Sequence, residues 1–527
     1  MVGFATGSLA ALVMLQAGAP SLAAEEFQTP SVSAVRVEWR AVLDQLRAEI
    51  GATPSVASDF SFSVQRRVAA SDPRSMPALV QLNAVTSPIF TGIGRSPVPV
   101  LLPFDTAAFV EARQNGGLLL PISRYQADFR PVDVFDAGPS GYDAVFSLEP
   151  GAAAGMPQRT FSKPVEVQIT GSLLTYEVAD PAGGKGEPVK SLAAQYPDLR
   201  RFIREGYVRY AFTRFGVPYV VSIQCLDSAP RARRLACREA YPVAERFLKA
   251  LHVAGGRPAR PRADRPSEAS ERPTERSLDF TFRPPGSIIV NSGYHKQSGR
   301  ADLTAYSQIR FPLETPAFVH SQRRRSSGDK SDLPSSEYPW RDNFCESRSF
   351  SVGQCANGFG HQGEDIRPGA CPSREDGPVG CDPRQQPIFA VRDGVVIRSP
   401  KQQAATLQIN TRTEHIRFRY MHMNPSAMDS DGLLSGRRVA EGEKIGVVSN
   451  YLDHPNGTSR HLHFDVQVFT RDGWIWVSPY VTLISAYERA IRGRGREIGP
   501  EIASAPTVAH AMPEEIARPD LQEGAEN

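Results

Sequence analysis

The most regular pattern in the chain is a strict alternation of polar and apolar residues near its C-terminal end. In residues 461–468 the polar positions are His461, His463, Asp465 and Gln467, and the apolar ones are Leu462, Phe464, Val466 and Val468. Successive side chains of a strand point to opposite faces, so this pattern predicts a half-buried β-strand. Histidines two residues apart on one face lie about 6–7 Å apart at the backbone, so one can bind a metal ion while the other reaches its water.

The N-terminal half carries both helical and strand-like patterns. Apolar residues recur at helical spacing in 34–50, and Gly51 and Pro54 follow, which predicts a helix with a buried face. Short strand-like runs separated by Gly/Pro-rich turns occupy 79–85, 143–148, 165–169 and 217–225, and a closing helix is predicted at 242–251. These elements predict an α+β or mostly β domain over 25–255 that resembles no family. The sequence allows two roles for this domain, a binding or regulatory module and an inert scaffold.

A polar segment separates this domain from the rest. Residues 257–276 include ten charged residues and four prolines, and alanines are their only aliphatic side chains. Such a segment buries too little apolar surface to offset its ordering entropy, so it predicts a linker between two separately folding bodies. The predicted organisation is a signal peptide at 1–24, an N-terminal domain at 25–255, a linker at 256–277, a C-terminal domain at 278–492 and a disordered tail at 493–527.

The N-terminus has the pattern of a secretory signal. An apolar run is followed by Ser21-Leu22-Ala23, a small-x-small cleavage site. No Lys or Arg precedes the run, which departs from the usual pattern, and a buried N-terminal helix is the alternative. No other apolar stretch approaches the roughly 20 residues that a bilayer crossing needs, so we expect no stable membrane span after cleavage.

Six cysteines fit an oxidising compartment. They occur as near neighbours, so we predict three local disulfides, Cys225 with Cys237, Cys345 with Cys355 and Cys371 with Cys381. Sequence alone allows 15 pairings, and the lack of a C-x-x-C motif argues against a thiolate-zinc site. With 527 residues, 41% hydrophobic content and a net charge of +3, the chain is typical of a globular protein of two or three domains. Nothing in it indicates nucleic-acid binding, although arginine-rich patches favour an anionic cell-wall surface.

Candidate metal ligands lie upstream of the alternating strand. His361 and Asp365 are four residues apart, but Gly360, Gly363 and Pro368 argue against a helix, so we predict a loop that enters a strand. Together with His463 they offer two nitrogens and one oxygen, which suits a catalytic zinc with an open fourth position. His422, at the end of another strand-like run, is a second candidate base beside His461.

The order of these motifs, His-x-x-x-Asp, Tyr-Met-His and His-Leu-His-Phe, resembles the LytM-type, or M23, zinc metallopeptidases of bacterial cell walls. Residues 388–396 resemble the family's "PVYAVADGVV" strand and turn, and 442–446 resemble its "G-x-x-IG" turn. Phe311-Pro312 resembles its opening segment, so the resemblance covers about 311–481. The insertion at 367–387, which holds Cys371 and Cys381, departs from the family pattern and leaves the substrate specificity open.

The resemblance implies a mainly β C-terminal domain with a LytM-like antiparallel sheet. It implies one zinc ion per chain, held by His361, Asp365 and His463, with His422 and His461 as the catalytic pair in unassigned order. Glu364 is expected to point away from the site. The remaining histidines are expected at the surface; in this half of the chain they are His295, His320, His415, His454 and His510.

The expected function is that of a periplasmic or secreted zinc endopeptidase that hydrolyses peptide cross-links of peptidoglycan. The alternative is a non-catalytic LytM-like activator or cell-wall-binding module that regulates another hydrolase. A filled set of five site residues favours the enzyme, because such activators usually lack part of the set. A zinc peptidase with a protein substrate is a third possibility, and a regulatory protein of the cell envelope is a possible partner.

Overall fold

A computed structural model describes most of the two predicted domains. The described residues are 31–51, 76–114, 121–149, 164–178, 186–204, 207–225, 235–258, 278–286, 308–314, 317–319, 340–348, 350, 352–355, 358–368, 386–452, 454–458 and 460–498. The predicted signal peptide, almost all of the predicted linker and nearly all of the predicted tail lie outside these ranges, so the domain boundaries stay predictions. No helix within the ranges combines the length and apolarity that a bilayer crossing requires.

The N-terminal region is built on an antiparallel sheet with helices against one face. Its strands are β1 (Ser31–Ala34), β2 (Val100–Leu102), β3 (Phe129–Gly138), β4 (Gly141–Leu148), β5 (Val165–Ser172), β6 (Leu174–Glu177), β7 (Glu187–Pro188), β8 (Arg200–Arg204), β9 (Tyr207–Arg214), β10 (Val217–Gln224) and β11 (His252–Gly255). Its helices are α1 (Trp39–Gly51), α2 (Met76–Thr86), α3 (Thr106–Gln114) and α4 (Tyr241–Lys249). Among the described residues the main sheet has the order β3-β4-β5-β10-β9-β8-β7.

The predicted mixture of helices and strands is confirmed, with one element wrong. The runs at 143–148, 165–169 and 217–225 fall in β4, β5 and β10, but 79–85 lies in α2. Leu79 and Leu82 are three residues apart and both join the core, which is the spacing of one helix face. A short apolar run fits either structure, and here the tertiary packing decides. The first helix begins at Trp39 because the preceding Ser31–Ala34 pairs with β6.

The C-terminal region is mainly β and its principal sheet is antiparallel, as predicted. Its strands are β12 (Leu278–Phe282), β13 (Ala317–Val319), β14 (Glu364–Pro368), β15 (Pro387–Phe389), β16 (Gly394–Ile397), β17 (Ala405–Asn410), β18 (His415–Met421), β19 (Arg438–Val439), β20 (Lys444–Val447), β21 (Leu462–Thr470), β22 (Gly473–Val477) and β23 (Arg494–Glu497). Its helices are α5 (Pro425–Ser430) and α6 (Tyr480–Ile491). Within the described residues the main sheet runs β13-β14-β21-β18-β17-β16-β19, with β22 paired to β21.

Strand β21 has the predicted alternation, but both of its faces are buried. Leu462, Phe464, Val466 and Val468 join the apolar core. The opposite face is buried as well, because the N-terminal region and the β22 tryptophans cover it. The prediction of a half-buried strand is therefore wrong in that respect, since the cover comes from segments distant in sequence.

The two regions pack together through the polar faces of their main sheets. Asp143 of β4 contacts both His415 and Arg417 of β18, at 2.8 and 3.0 Å. Ser140 donates to the Asn410 side chain from both its backbone N–H and its hydroxyl. Apolar patches flank these contacts; their members are Val134, Val145, Val395 and Ile397 in one, and Phe202, Ala211, Val220, Phe469 and Trp474 in the other.

This packing corrects the expectation for one histidine. His415 was expected at the surface, but it is fully buried between the regions. One ring nitrogen lies 2.8 Å from the Ser172 hydroxyl and the other 2.8 Å from Asp143. His454 is exposed as expected, and His295, His320 and His510 lie outside the described residues.

Two of the three predicted disulfides are confirmed. Cys225 pairs with Cys237 in the N-terminal region, and Cys345 pairs with Cys355 in the C-terminal region. Cys371 and Cys381 lie outside the described residues, as does most of the predicted insertion at 367–387, so that pairing stays a prediction.

Candidate metal centre

The backbone brings the three predicted ligands together where β14 meets β21. Asp365 is the register partner of His463 across this antiparallel pair. His361 precedes β14 in the predicted loop, which crosses β21 at Gly363. A Cβ atom at Gly363 would lie 2.4 Å from the Phe464 carbonyl oxygen, so only glycine allows this approach. The loop therefore returns His361 to the face that carries His463.

The three side chains converge through one atom each. His361 Nε2 lies 3.0 Å from His463 Nδ1, and Asp365 Oδ1 lies 3.1 Å from His463 Nδ1 and 3.3 Å from His361 Nε2. All three residues are buried, and their donor atoms lie within 4.8 Å of one another. This is the two-nitrogen, one-oxygen set that the sequence predicts.

In each histidine ring, one nitrogen faces the other ligands (the inner nitrogen) and one points away from them (the outer nitrogen). The partner of the outer nitrogen influences whether the inner one carries a proton or a lone pair. His361 Nδ1 lies 3.0 Å from the Asn343 carbonyl oxygen, which only accepts, so Nδ1 carries the proton. His463 Nε2 lies 3.4 Å from Asp465 Oδ2, although this contact lacks good hydrogen-bond geometry and leaves the buried Nε2 unsatisfied. Both nitrogens of His463 therefore face a carboxylate, Nε2 that of Asp465 and Nδ1 that of Asp365 at 3.1 Å. In the neutral rings, His361 Nε2 presents a lone pair, and His463 Nδ1 presents one in the tautomer that carries its proton on Nε2 beside Asp465.

Such an arrangement suits a cation. The His361 Nε2 lone pair and the Asp365 carboxylate oxygen both lie within 3.0–3.3 Å of His463 Nδ1, so a proton or a cation is needed where the three atoms meet. Burial opposes the charge of Asp365, but His361 and His461 outweigh it and hold the Asp365 pKa well below its usual value. Burial also lowers the pKa of His463, yet its contacts with Asp365 and Asp465 raise it overall. The donor set therefore fits zinc, which takes histidine nitrogen and carboxylate oxygen.

The two predicted catalytic histidines lie beside this set. His461 Nε2 is 3.3 Å from Asp365 Oδ1. The His422 ring centroid lies 4.6 Å from that of His461 and 6.0 Å from that of His463. All five predicted site residues are thus gathered in one place, and their assignment as ligands and catalysts stays a prediction.

His422 is held in a defined protonation state by its surroundings. Its Nδ1 lies 2.9 Å from the Tyr451 carbonyl oxygen and must donate to it, which leaves Nε2 as the acceptor in the neutral ring. Its backbone N–H donates to Gln403 Oε1 at 2.7 Å, and the residue has a φ of 67°, an unusual value for a non-glycine residue. Burial, followed by the neighbouring His461 and His463, holds the His422 pKa well below its usual value.

Glu364 points away from the site, as predicted. Its carboxylate is fully buried and accepts the backbone N–H groups of Asn343 and Phe344, at 3.1 and 3.2 Å. Burial and the neighbouring Asp342 raise the pKa of Glu364 well above its usual value, and burial also raises that of Asp342. This acidic pair belongs to the support of the site.

Sequence reasoning missed the residues that hold the ligands. Asp465 faces the outer nitrogen of His463, and it accepts from Arg419 Nε at 2.6 Å and Trp476 Nε1 at 3.1 Å. Burial alone raises the pKa of Asp465, but Arg419 and His463 lower it overall, so it stays ionised. Its position on the histidine face of β21 was a usable signal. Asn343 lies in no motif, and no local pattern could have found it.

Comparison with known proteins identifies one family. Residues 380–473 match the model of Peptidase family M23, so the predicted family resemblance is confirmed. The matched segment contains His422, His461 and His463, whereas His361 and Asp365 precede it. It is narrower than the 311–481 over which the motifs resemble the family.

Two solved structures are similar to parts of this chain, and no curated protein matches. A Ruminococcus gnavus protein assigned as a glycyl-glycine endopeptidase LytM is 22% identical, with a TM-score of 0.18, over 26% of this chain and 49% of its own. Helicobacter pylori Csd3 is 14% identical, with a TM-score of 0.16, over 62% of this chain and 51% of its own. The chain thus spans about half the length of each. At these values neither likeness supports an assignment of activity.

Proposed function

We propose that this chain, whose residues 380–473 match the model of Peptidase family M23, is a zinc-dependent endopeptidase that hydrolyses the peptide cross-links of peptidoglycan. The observation that carries the proposal is the convergence of His361 Nε2, Asp365 Oδ1 and His463 Nδ1, with His422 and His461 beside them. A buried set of two imidazoles and a carboxylate leaves one coordination position for a reactant, which is typical of catalytic zinc sites.

His361, Asp365 and His463 would hold the ion. When bound, zinc supplies Lewis-acid polarisation of a peptide carbonyl group and makes a water molecule more acidic. The surrounding residues support this, because Asn343 keeps the His361 proton on Nδ1 and Asp465 lies where the His463 proton would be when Nδ1 binds the ion. Each inner nitrogen is then free to donate its lone pair.

His422 is the better candidate for the proton acceptor. Its lowered pKa keeps the ring neutral at pH 7, and its Nδ1 proton is committed to the Tyr451 carbonyl group. The Nε2 lone pair then accepts a proton from the attacking water and returns it to the leaving amine. A general base or acid of this kind contributes typically 10²–10⁴-fold to the rate.

His461 has a different role in this proposal. Its Nε2 lies 3.3 Å from Asp365 Oδ1, and a nitrogen facing a carboxylate carries the ring proton. An N–H group at the edge of the ligand set can stabilise the negative charge that develops on a carbonyl oxygen during attack. Loss of one such donor costs about 10²–10³ in kcat.

The substrate and compartment follow from separate observations. Peptidase family M23 indicates peptidoglycan as the substrate class. The signal-like N-terminus and the two disulfides support export, where the substrate lies. We therefore propose the periplasm or the outside of the cell as the compartment of the active protein.

The test is digestion of isolated sacculi by the purified chain, followed by mass analysis of the released muropeptides. We expect cross-linked dimers to fall and monomers to rise, and His463→Ala to abolish this. His454→Ala is the matched control, because His454 is an exposed histidine of the same region whose Nδ1 contacts only the neighbouring Pro455 carbonyl oxygen in the described residues. Zinc binding without any release of muropeptides would contradict the proposal and favour the non-catalytic activator.

A further inference from the structure

Asn343 contacts two of the three metal-binding residues. Its carbonyl oxygen accepts from His361 Nδ1 at 3.0 Å, and its side-chain Oδ1 accepts the Asp365 backbone N–H at 3.2 Å. It is 97% buried, and its Nδ2 has no hydrogen-bond partner among the described residues. One residue therefore orients the ring of one ligand and the backbone of another.

The backbone around Asn343 is itself fixed. Glu364, next to the ligand Asp365, accepts the N–H groups of Asn343 and Phe344 through its two carboxylate oxygens. Asp342 accepts the Phe344 N–H at 2.9 Å and the Gly286 N–H at 2.7 Å. These four bonds are buried or partly buried, so the 342–344 backbone has little freedom to shift relative to β14.

The Cys345–Cys355 disulfide continues this support toward His361. The Cys345 N–H donates to the His361 carbonyl oxygen at 3.0 Å, and the His361 N–H donates to the Glu346 carbonyl oxygen at 2.8 Å. A Cβ atom at Gly360 would lie 2.7 Å from both Cys345 Cα and Cys355 Sγ. The disulfide thus packs directly against the residue that precedes the ligand.

The same disulfide reaches the third ligand through a small apolar cluster. Phe344, Cys345, Val352, Cys355 and Trp476 are all buried and pack together. Trp476 Nε1 donates to Asp465, the carboxylate that faces His463 Nε2. The cluster therefore adjoins the contacts that support His361 and His463, and the neighbouring Asn343 supports Asp365.

We propose that Asn343 is a positioning residue for the metal set, and that the Cys345–Cys355 disulfide holds it in place. This inference rests on the metal set proposed above. Outer contacts of this kind typically change metal affinity by 10- to 100-fold when they are removed. The chain should then bind zinc tightly only when this disulfide has formed.

The first test is Asn343→Ala in the full chain, with zinc affinity measured by competition against a chromophoric chelator. Alanine removes Oδ1 but keeps the backbone carbonyl oxygen that faces His361, so we expect a zinc Kd about 10-fold weaker, the lower end of the range for outer contacts. The matched control is Asn410→Ala. Asn410 Oδ1 also accepts a backbone N–H, that of Ser140 at 3.0 Å, but Asn410 lies at the interface of the two regions. Its zinc Kd should be unchanged.

A conservative variant separates positioning from general stability. Asn343→Asp keeps the acceptor oxygen and exchanges Nδ2, which has no partner among the described residues, for a second carboxylate oxygen. It should recover most of the zinc affinity, while the added acid beside the buried Asp342 and Glu364 lowers the Tm of the metal-free protein. The Tm of the metal-free protein is measured beside each Kd. If Asn343→Ala lowers that Tm as Asn410→Ala does while both keep the wild-type zinc Kd, the role is structural only and the proposal is wrong.

The second test compares the two disulfides. Replacing Cys345 and Cys355 together by alanine should weaken zinc binding by the same 10- to 100-fold. Replacing Cys225 and Cys237 together should lower stability and leave the zinc Kd unchanged. Equal zinc affinity in the two double variants would overturn the disulfide's role.

These outcomes are independent of the peptidase assay. Zinc Kd values that respond as expected, in a chain that fails to digest sacculi, would support the positioning role and contradict the proposed function. If the chain digests sacculi but the zinc Kd is the same in every variant, the proposed function is supported and the positioning role is contradicted.

Discussion

The buried contact between the two regions yields a quantitative prediction for Asp143→Ala. Asp143 is nearly fully buried and accepts from His415 Nε2 at 2.8 Å, Arg417 Nη2 at 3.0 Å and Thr170 Oγ1 at 2.6 Å. Within the described residues, its removal leaves the buried Arg417 guanidinium with the neutral hydrogen-bond partners Gln408, Gln168 and Thr170. Breaking a buried ion pair in this way typically costs about 3–5 kcal/mol.

A matched control comes from the same interface. Asp136 pairs with Arg438 at 2.7 Å, again between the two regions, but the Arg438 side chain is 62% exposed. An ion pair open to solvent contributes about 0–1 kcal/mol, so Asp136→Ala should have a small effect. The two variants remove the same chemical group from the same surface and differ in the burial of its partner.

The assay is urea unfolding of the full chain, followed by circular dichroism and tryptophan fluorescence. Because a chain of two regions need not unfold in one step, midpoints and slopes are compared for each probe. Asp143→Ala should move the first transition to clearly lower urea, and Asp136→Ala should leave it near the wild-type value. Equal shifts would refute the claim that burial makes the Asp143 contact strong.

The pH dependence gives a second readout of the same residue. Burial opposes ionisation of Asp143, but His415 and Arg417 outweigh it, so its pKa in the folded protein lies below its usual value. A carboxylate with a lowered pKa contributes stability that is fully present above its unfolded pKa of about 3.9 and is lost as the pH falls through the folded value. The difference between wild type and Asp143→Ala should be constant from pH 5 to 7 and shrink below about pH 4. A difference that vanished near pH 6 would contradict this assignment.

Three further predictions concern the site and the chain's organisation. His463→Ala should lose both zinc and activity, because a two-ligand site binds zinc poorly. His461→Ala should keep near-stoichiometric zinc by elemental analysis and lose a factor of 10² or more in turnover. A wild-type rate in His461→Ala would contradict the assigned roles. Limited proteolysis should cut within 257–276 and yield two fragments that co-elute in gel filtration, because the two regions share a buried interface. Resistance to cleavage across 257–276 would mean that the linker is packed. Alkylation of exported protein without reductant should find no free thiol by intact mass, and six alkylated cysteines would contradict both the pairing and the compartment.

The sequence could indicate that the five candidate residues come together because the patterns that carry them are local. The alternation in 461–468 places two histidines on one face without any knowledge of the fold. The glycines at 360 and 363 argue against a helix, and the loop they allow crosses β21 where only glycine fits. The order of the three motifs then matches a family whose topology brings them together. Each of these signals lies within a few residues of the side chain it explains.

The features that the sequence did not predict depend on distant contacts. The run at 79–85 is a helix because Leu79 and Leu82 pack into the N-terminal core, and a short apolar run does not distinguish helix from strand. His415 is buried because Asp143, more than 270 positions earlier, supplies its partner. Asn343 supports two ligands from a loop with no periodic pattern. In each case the structure depends on a contact with residues outside the local pattern, so composition and periodicity do not reveal it.

One face of β18 connects the interface to the metal set. His415, Arg417 and Arg419 follow one another on that face, where the first two reach Asp143 and the third reaches Asp465 behind His463. The Arg419–Asp465 contact lies wholly within the C-terminal region, as do Trp476 and Asn343. Loss of the Asp143 side chain should therefore weaken the packing between the two regions without lowering zinc affinity. If Asp143→Ala lowered zinc affinity as strongly as Asn343→Ala, the support of the metal set would have to extend through β18 into the N-terminal sheet.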